Sequence, residues 1–88
     1  LLLFTSPLCT ACRAWRGILP GLAEGRFDAL WEIDAAEDSA AVHEWQIFHL
    51  PALLVFVDGE YHGALQATPA TFAEALDSLL AKPAHEAP

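Results

Sequence analysis

Leu1-Leu2-Leu3-Phe4-Thr5-Ser6-Pro7-Leu8-Cys9-Thr10-Ala11-Cys12 is the stretch whose reading decides the fold. Leu1 to Thr5 is almost wholly apolar and reads as a strand covered on both faces, as strands in parallel sheets usually are. Ser6-Pro7-Leu8 breaks it. Cys9 and Cys12, the only cysteines of the chain, then stand where a helical pattern begins. Two thiols at such a junction are placed to close a disulfide. The first of them also faces the unsatisfied N–H groups of a helix start, which favour a thiolate. This combination suits reversible thiol–disulfide exchange.

Working outward, a length of 88 residues allows one domain, and an apolar share of 55% is enough to build a core without disulfide staples. A bridge at CxxC spacing closes almost no loop. It adds little stability through chain entropy, so a purely structural role explains the cysteines poorly. The net charge is −8, and Arg13, Arg16, Arg26 and Lys82 are the only cationic side chains, apart from the histidines. No basic patch is available to neutralise phosphates, which excludes a nucleic-acid ligand. No stretch has the length of a membrane-spanning helix, and no signal-peptide pattern is present, so no membrane partner is expected. The sequence starts on Leu1 rather than a methionine. The expected compartment is cytoplasmic, with a periplasmic location left open, since CxxC pairs work in reducing and oxidising surroundings alike.

The rest of the chain reads as alternating elements. A helix is expected from about Cys9 to Glu24, with Cys12, Trp15, Ile18, Leu19 and Leu22 on its apolar face and Pro20 kinking or splitting it. Ala29 to Asp34 reads as a second strand, making a right-handed βαβ unit with parallel strands. Asp38 or Ser39 caps a second helix that carries Ala41, Val42 and Trp45 inward and ends before Leu50-Pro51. Ala52 to Val57 is the strongest strand signal. Asp58-Gly59 is a hairpin turn, and Glu60 to Gln66 is the antiparallel partner. Thr68-Pro69 caps a last helix expected to bury Phe72, Leu76, Leu79 and Leu80. Trp15, Trp31 and Trp45 are all read as core. Residues 1–82 form the domain, and 83–88 a polar, proline-rich tail expected to be disordered.

The order β-α-β-α-β-β-α, with CxxC after the first strand and Pro51 leading into the third, resembles a minimal thioredoxin fold, an α/β architecture with a four-stranded mixed sheet flanked by helices. The resemblance covers about residues 1–81. Phe4 before the cysteine pair, Pro20 eight residues past Cys12, Glu32-Ile33-Asp34, Trp45-Gln46-Ile47, Leu50-Pro51 and Asp58-Gly59-Glu60 all match features of that family. The resemblance implies that Cys9 is the nucleophile and Cys12 the resolving thiol. It implies a cis bond before Pro51, with the backbone of Leu50 and Pro51 binding an extended substrate strand. It also implies protein disulfide or dithiol substrates, a redox partner such as a reductase, and no bound cofactor. Thr10, Arg13 and His49 are read as modulating residues: a hydroxyl between the cysteines, a cation one helical turn from Cys9, and an imidazole two residues before Pro51.

The departures from that family are specific. Thr10-Ala11 replaces the usual Gly-Pro between the cysteines, and Pro7-Leu8 replaces the usual aromatic and acidic residues before them. Leu3 stands where the family has a buried acid, Leu30 where it has that acid's lysine partner, Thr5 where it has a tryptophan, and Ala67 where it has a glycine. Two other readings follow. One is a binding module that keeps the fold and its groove without turnover. The other is a metal site on Cys9, Cys12 and a histidine. The histidines available are His43 and His49, far beyond the usual gap from a CxxC pair. His62 is read as a hairpin surface residue and His85 as a tail residue.

Overall fold

The apolar runs around Leu3 and Leu54 become the two central strands of a mixed sheet in the computed structural model, which describes residues 1–88. In chain order the elements are β1 (Leu2–Thr5), α1 (Thr10–Ala23), β2 (Trp31–Asp34), α2 (Ser39–Glu44), β3 (Ala52–Val57), β4 (Glu60–Leu65), a 3-10 turn (Pro69–Thr71) and α3 (Phe72–Leu80). The strands lie in the order β2-β1-β3-β4. β1 pairs in parallel with β2 and antiparallel with β3, and β3 pairs antiparallel with β4. The α/β architecture expected from the element order is therefore present. At the ends of elements the structure is narrower than the sequence suggested: Cys9 caps α1 rather than joining it, and β2 begins at Trp31 rather than Ala29.

Strand periodicity divides the apolar residues between the two faces. Leu1, Leu3, Leu53, Val55 and Leu65 face one side. There they pack with Trp15, Leu19 and Ala23 of α1 and Phe72, Leu76 and Leu79 of α3 in one buried cluster. Each fully buried Leu or Phe contributes roughly 1.5–3 kcal/mol. Phe4 and Leu54 face the other way. On that side Trp45, at the end of α2, meets Phe56 and Tyr61 with ring centroids 5.5 and 5.3 Å away. Pro20 neither ends nor splits α1, which runs on to Ala23. Its ring is exposed, while Leu19 beside it is fully buried.

Expectations about burial are corrected at six residues. Trp31 is not core: it is 65% exposed. It lies at the start of an edge strand, on the face served only by α2, a helix of six residues that is too short to reach across the sheet. Trp45, Ala41 and Val42 are half-buried for the same reason. Ile18 and Leu80 are exposed, because each sits beside a helical residue, Leu19 or Leu79, that already occupies the centre of the apolar stripe.

The hairpin is built as the sequence suggested. Asp58 and Gly59 both have positive φ, 54° and 80°, the geometry of a type I′ turn. The pairing then slips: Val55 faces Gly63 while Phe56 faces Tyr61, which leaves His62 as an extra residue in a bulge. The His62 Nε2–H donates to the Leu79 carbonyl at 2.9 Å, tying β4 to the end of α3. Gly63 permits this close approach. A Cβ there would lie 2.9 Å from Leu79 Cδ1. Gly63→Ala is therefore expected to destabilise the fold by about 1–3 kcal/mol through overpacking. Gly17→Ala, where nothing lies within 4 Å on an exposed helix, is expected to stabilise it by about 0.5–1 kcal/mol. Urea unfolding of the two variants checks both signs.

Candidate redox site

The cysteine pair is held by a short turn between β1 and α1. β1 ends at Thr5, and the Cys9 N–H donates back to the Ser6 carbonyl at 3.0 Å while the Leu8 N–H donates to Ser6 Oγ at 3.3 Å. The chain thus reverses at once from strand to helix. Cys9 becomes the N-cap of α1 with extended backbone (φ −91°, ψ 110°). Its Sγ accepts the Cys12 N–H at 3.1 Å, the bond a Ser or Asp cap would make. Cys9 and Cys12 are joined as a disulfide with Cα atoms 5.2 Å apart. The two sulfurs have unequal surroundings. Cys9 is half-buried at the rim, and Cys12 is 1% exposed under the first turn. The positive end of the helix dipole lies at Cys9, so an open pair would have its thiolate favoured at that sulfur.

The other residues singled out in the sequence fall into two groups. Thr10 and Arg13 lie on the exposed face of the first turn of α1, and Arg13 makes no ion pair. Leu8, just before the pair, is 95% exposed. His49, Leu50 and Pro51 lie across the sheet, where the Leu50–Pro51 bond is cis. The register pairs Phe4 with Ala52, so Pro51 and Thr5 stand at the same end of β1 and β3, the end from which α1 departs. His49, Leu50 and Pro51 line a groove of about 480 Å³. Trp15, one turn past Cys12, lies on its wall, and neither cysteine does. The cysteines thus lie outside the groove's lining. No cluster of three or more His, Cys, Asp or Glu side chains that could hold a metal ion forms with the cysteines closed as a disulfide.

Where β1, β2 and α1 meet, the structure shows a network that the sequence reading missed. Thr5, fully buried, donates its hydroxyl to Glu32 Oε2 at 3.0 Å. Arg16, one turn past Cys12, meets the same carboxylate in a bidentate bond, with Nε to Oε1 at 3.0 Å and the second nitrogen on Oε2. β1, β2 and α1 are thereby fastened together where the pair is mounted. Parallel pairing of Thr5 with Asp34 puts Glu32 beside Thr5 on the α1 face, so strand alternation together with register is the signal that would have found it. Leu3 is core at 2% exposure, and Leu30 is half-buried against that core.

The Arg16 hydrogen bonds hold the Glu32 carboxyl below its ordinary value of 4.5, with a smaller downward contribution from the Thr5 hydroxyl and a partial offset from burial. The same bonds raise Arg16. Burial of Tyr61 among Trp45 and Phe56 raises its phenol.

Sheet order, crossover and the position of the pair together define a thioredoxin fold. Among solved structures the chain is similar to thioredoxin 1 from the thermophilic eubacterium Thermosipho africanus. The TM-score is 0.76 at 13% identity, covering 91% of this chain and 92% of that one. It is also similar to a single-site mutant of thioredoxin from Halobacterium salinarum, with a TM-score of 0.72 at 24% identity, covering 99% of this chain and 75% of that one. At such identities the likeness establishes the fold. No protein-family model and no curated protein matches the sequence. No helix is long and apolar enough to cross a membrane.

The Glu32 network carries a pH signature. A carboxyl with a depressed value in the folded state adds stability that is present above its unfolded value and is lost as pH falls through the folded one. Wild type is expected to lose Tm between about pH 5 and pH 3 through this group, among others. Glu32→Gln is expected to have a lower Tm at pH 7 and a smaller drop on acidification. Thermal melts across that range read the difference, and identical drops would show that the carboxylate contributes nothing. Because Arg16 and Glu32 are partly solvated, the difference should shrink in high salt.

Proposed function

We propose that the protein is a thiol–disulfide oxidoreductase that exchanges the Cys9–Cys12 pair with protein disulfides or dithiols. The observation that supports this most directly is the asymmetric pair itself: a helix-capping sulfur at the rim and a buried sulfur one turn behind it, within bonding reach. A bridge that closes so short a loop adds little to stability, and its presence at a helix start fits exchange better than stapling.

In the reducing direction the Cys9 thiolate attacks one sulfur of a substrate disulfide. A Cys9–substrate mixed disulfide forms, and the other substrate sulfur leaves as a thiolate. The Cys12 thiol gives up its proton, and its sulfur attacks Cys9 Sγ. The second substrate sulfur leaves as a thiolate and the Cys9–Cys12 disulfide closes. The substrate gains two electrons and the protein loses two, so a dithiol donor such as a reductase must reopen the pair. The reverse sequence oxidises a substrate dithiol. In this reading the Leu50–Pro51 segment offers backbone to an extended substrate chain. Thr10, Arg13 and His49 tune the rim. A cytoplasmic location is proposed with it.

One observation favours a second reading, a binding module without turnover. Cys12 has a leucine, Leu3, in the place of the family's acid, and the cysteines lie outside the groove's lining. The two readings differ in one assay. Reduction of insulin disulfides by wild type with dithiothreitol as donor is expected to exceed background. Cys9→Ser should return it to background, and Cys12→Ser should accumulate a mixed disulfide visible by mass. Equal rates for wild type and Cys9→Ser would remove the enzyme reading and leave the binding module.

A further inference from the structure

The segment after α3 does not extend away from the domain. The His85 N–H donates to the His62 carbonyl at 2.8 Å, at the bulge of β4. β4 is an edge strand, so this carbonyl belongs to a strand with only one neighbour in the sheet. The His85 ring is also close: Nδ1 lies 3.5 Å from where a Cβ on Gly63 would stand. Three residues further on, Pro88 lines the groove together with Leu50, Pro51 and Gln66. The segment therefore touches the sheet edge at His85 and borders the groove at Pro88, running towards the end of the sheet where the disulfide is mounted.

We infer that residues 83–88 are an intramolecular occupant of the rim of this groove, held at the β4 edge through His85 and bordering the groove at Pro88, and that an extended polypeptide substrate enters by displacing them. The inference rests on the oxidoreductase reading for its consequence but not for its geometry. The chemistry of the segment suits the role. Pro83-Ala84-His85-Glu86-Ala87-Pro88 has small or proline side chains at four of its six positions, so little rotamer entropy opposes docking, and the prolines favour extended backbone. It is exposed along its length, and His85 is the only one of its residues whose N–H is bonded to backbone. Such a contact is reversible and open to competition. An intramolecular occupant raises the apparent KM of a competing chain by the inverse of the fraction of molecules in which the groove is free. A small disulfide that meets Cys9 without entering the groove is unaffected.

Two measurements test this. In the wild-type chain the His85 amide is expected to exchange with solvent more slowly than the amides of Ala84 and Glu86. Equal rates for the three would overturn the docking. In the assay, His85→Pro removes the donated N–H at unchanged length, and a chain ending at Pro83 removes the occupant. Both are expected to lower KM for insulin by about threefold or more while leaving the rate with 2-hydroxyethyl disulfide unchanged. An unchanged insulin KM in both variants would overturn the occlusion. Should wild type turn over neither substrate, the oxidoreductase reading fails, whereas the exchange rates still decide whether the segment is docked.

Discussion

Everything at the candidate site depends on α1 being pressed against the two central strands. Trp15, Leu19 and Ala23 pack on Leu3 and Leu53 in the same buried cluster as α3. That packing fixes the helix axis, and the short turn at Ser6 fixes where the helix starts. Between them they leave Cys9 one place, at the cap, and put Cys12 beneath the first turn. The Arg16–Glu32–Thr5 bonds add a polar fastening on the same flank. They satisfy a fully buried hydroxyl that would otherwise carry a desolvation cost.

The two faces of the sheet are unequally covered, and the difference organises the surface. Two helices with continuous apolar stripes close one face. The other is served by six residues of α2 and by the aromatic group of Trp45, Phe56 and Tyr61. The incomplete cover leaves Trp31 in solvent at one end of the sheet. At the opposite edge, Tyr61 of β4 together with Trp45 forms part of the wall of a groove that extends to Pro51. A short chain that covers one face well has too few residues left to cover the other. The groove is in that sense a consequence of chain length as much as of any residue in it.

Most of the fold was legible in the sequence because its signals are local. A continuous apolar run marks β3, Asp58-Gly59 marks the hairpin, Thr68-Pro69 marks the helix start, and the leucine run marks β1. The misreadings share one cause. Trp31, Trp45, Ile18 and Leu80 are apolar residues at plausible spacings. Their burial depends on whether another element reaches them, which spacing does not encode. Glu32 escaped notice for a related reason: a glutamate in a strand looks solvated until the register sets it against Thr5 and the packing of α1 brings Arg16 to it.

The sequence by itself determined the element order and the presence of two thiols one helical turn apart. These follow from periodicity, turn chemistry and spacing, all of which act within a few residues, and the thioredoxin-like arrangement was read from them by resemblance. Tertiary structure alone decided that Cys9 is at the rim and Cys12 is buried, that a Thr–Glu–Arg network joins β1, β2 and α1, and that the cysteines lie outside the groove's lining. It also decided that His85 bonds to the β4 edge. Those outcomes depend on contacts between residues far apart in the chain, such as Thr5 with Glu32 and His62 with His85. No local pattern carries that information, because the free energy that selects such contacts exists only once the sheet and helices have brought their partners together.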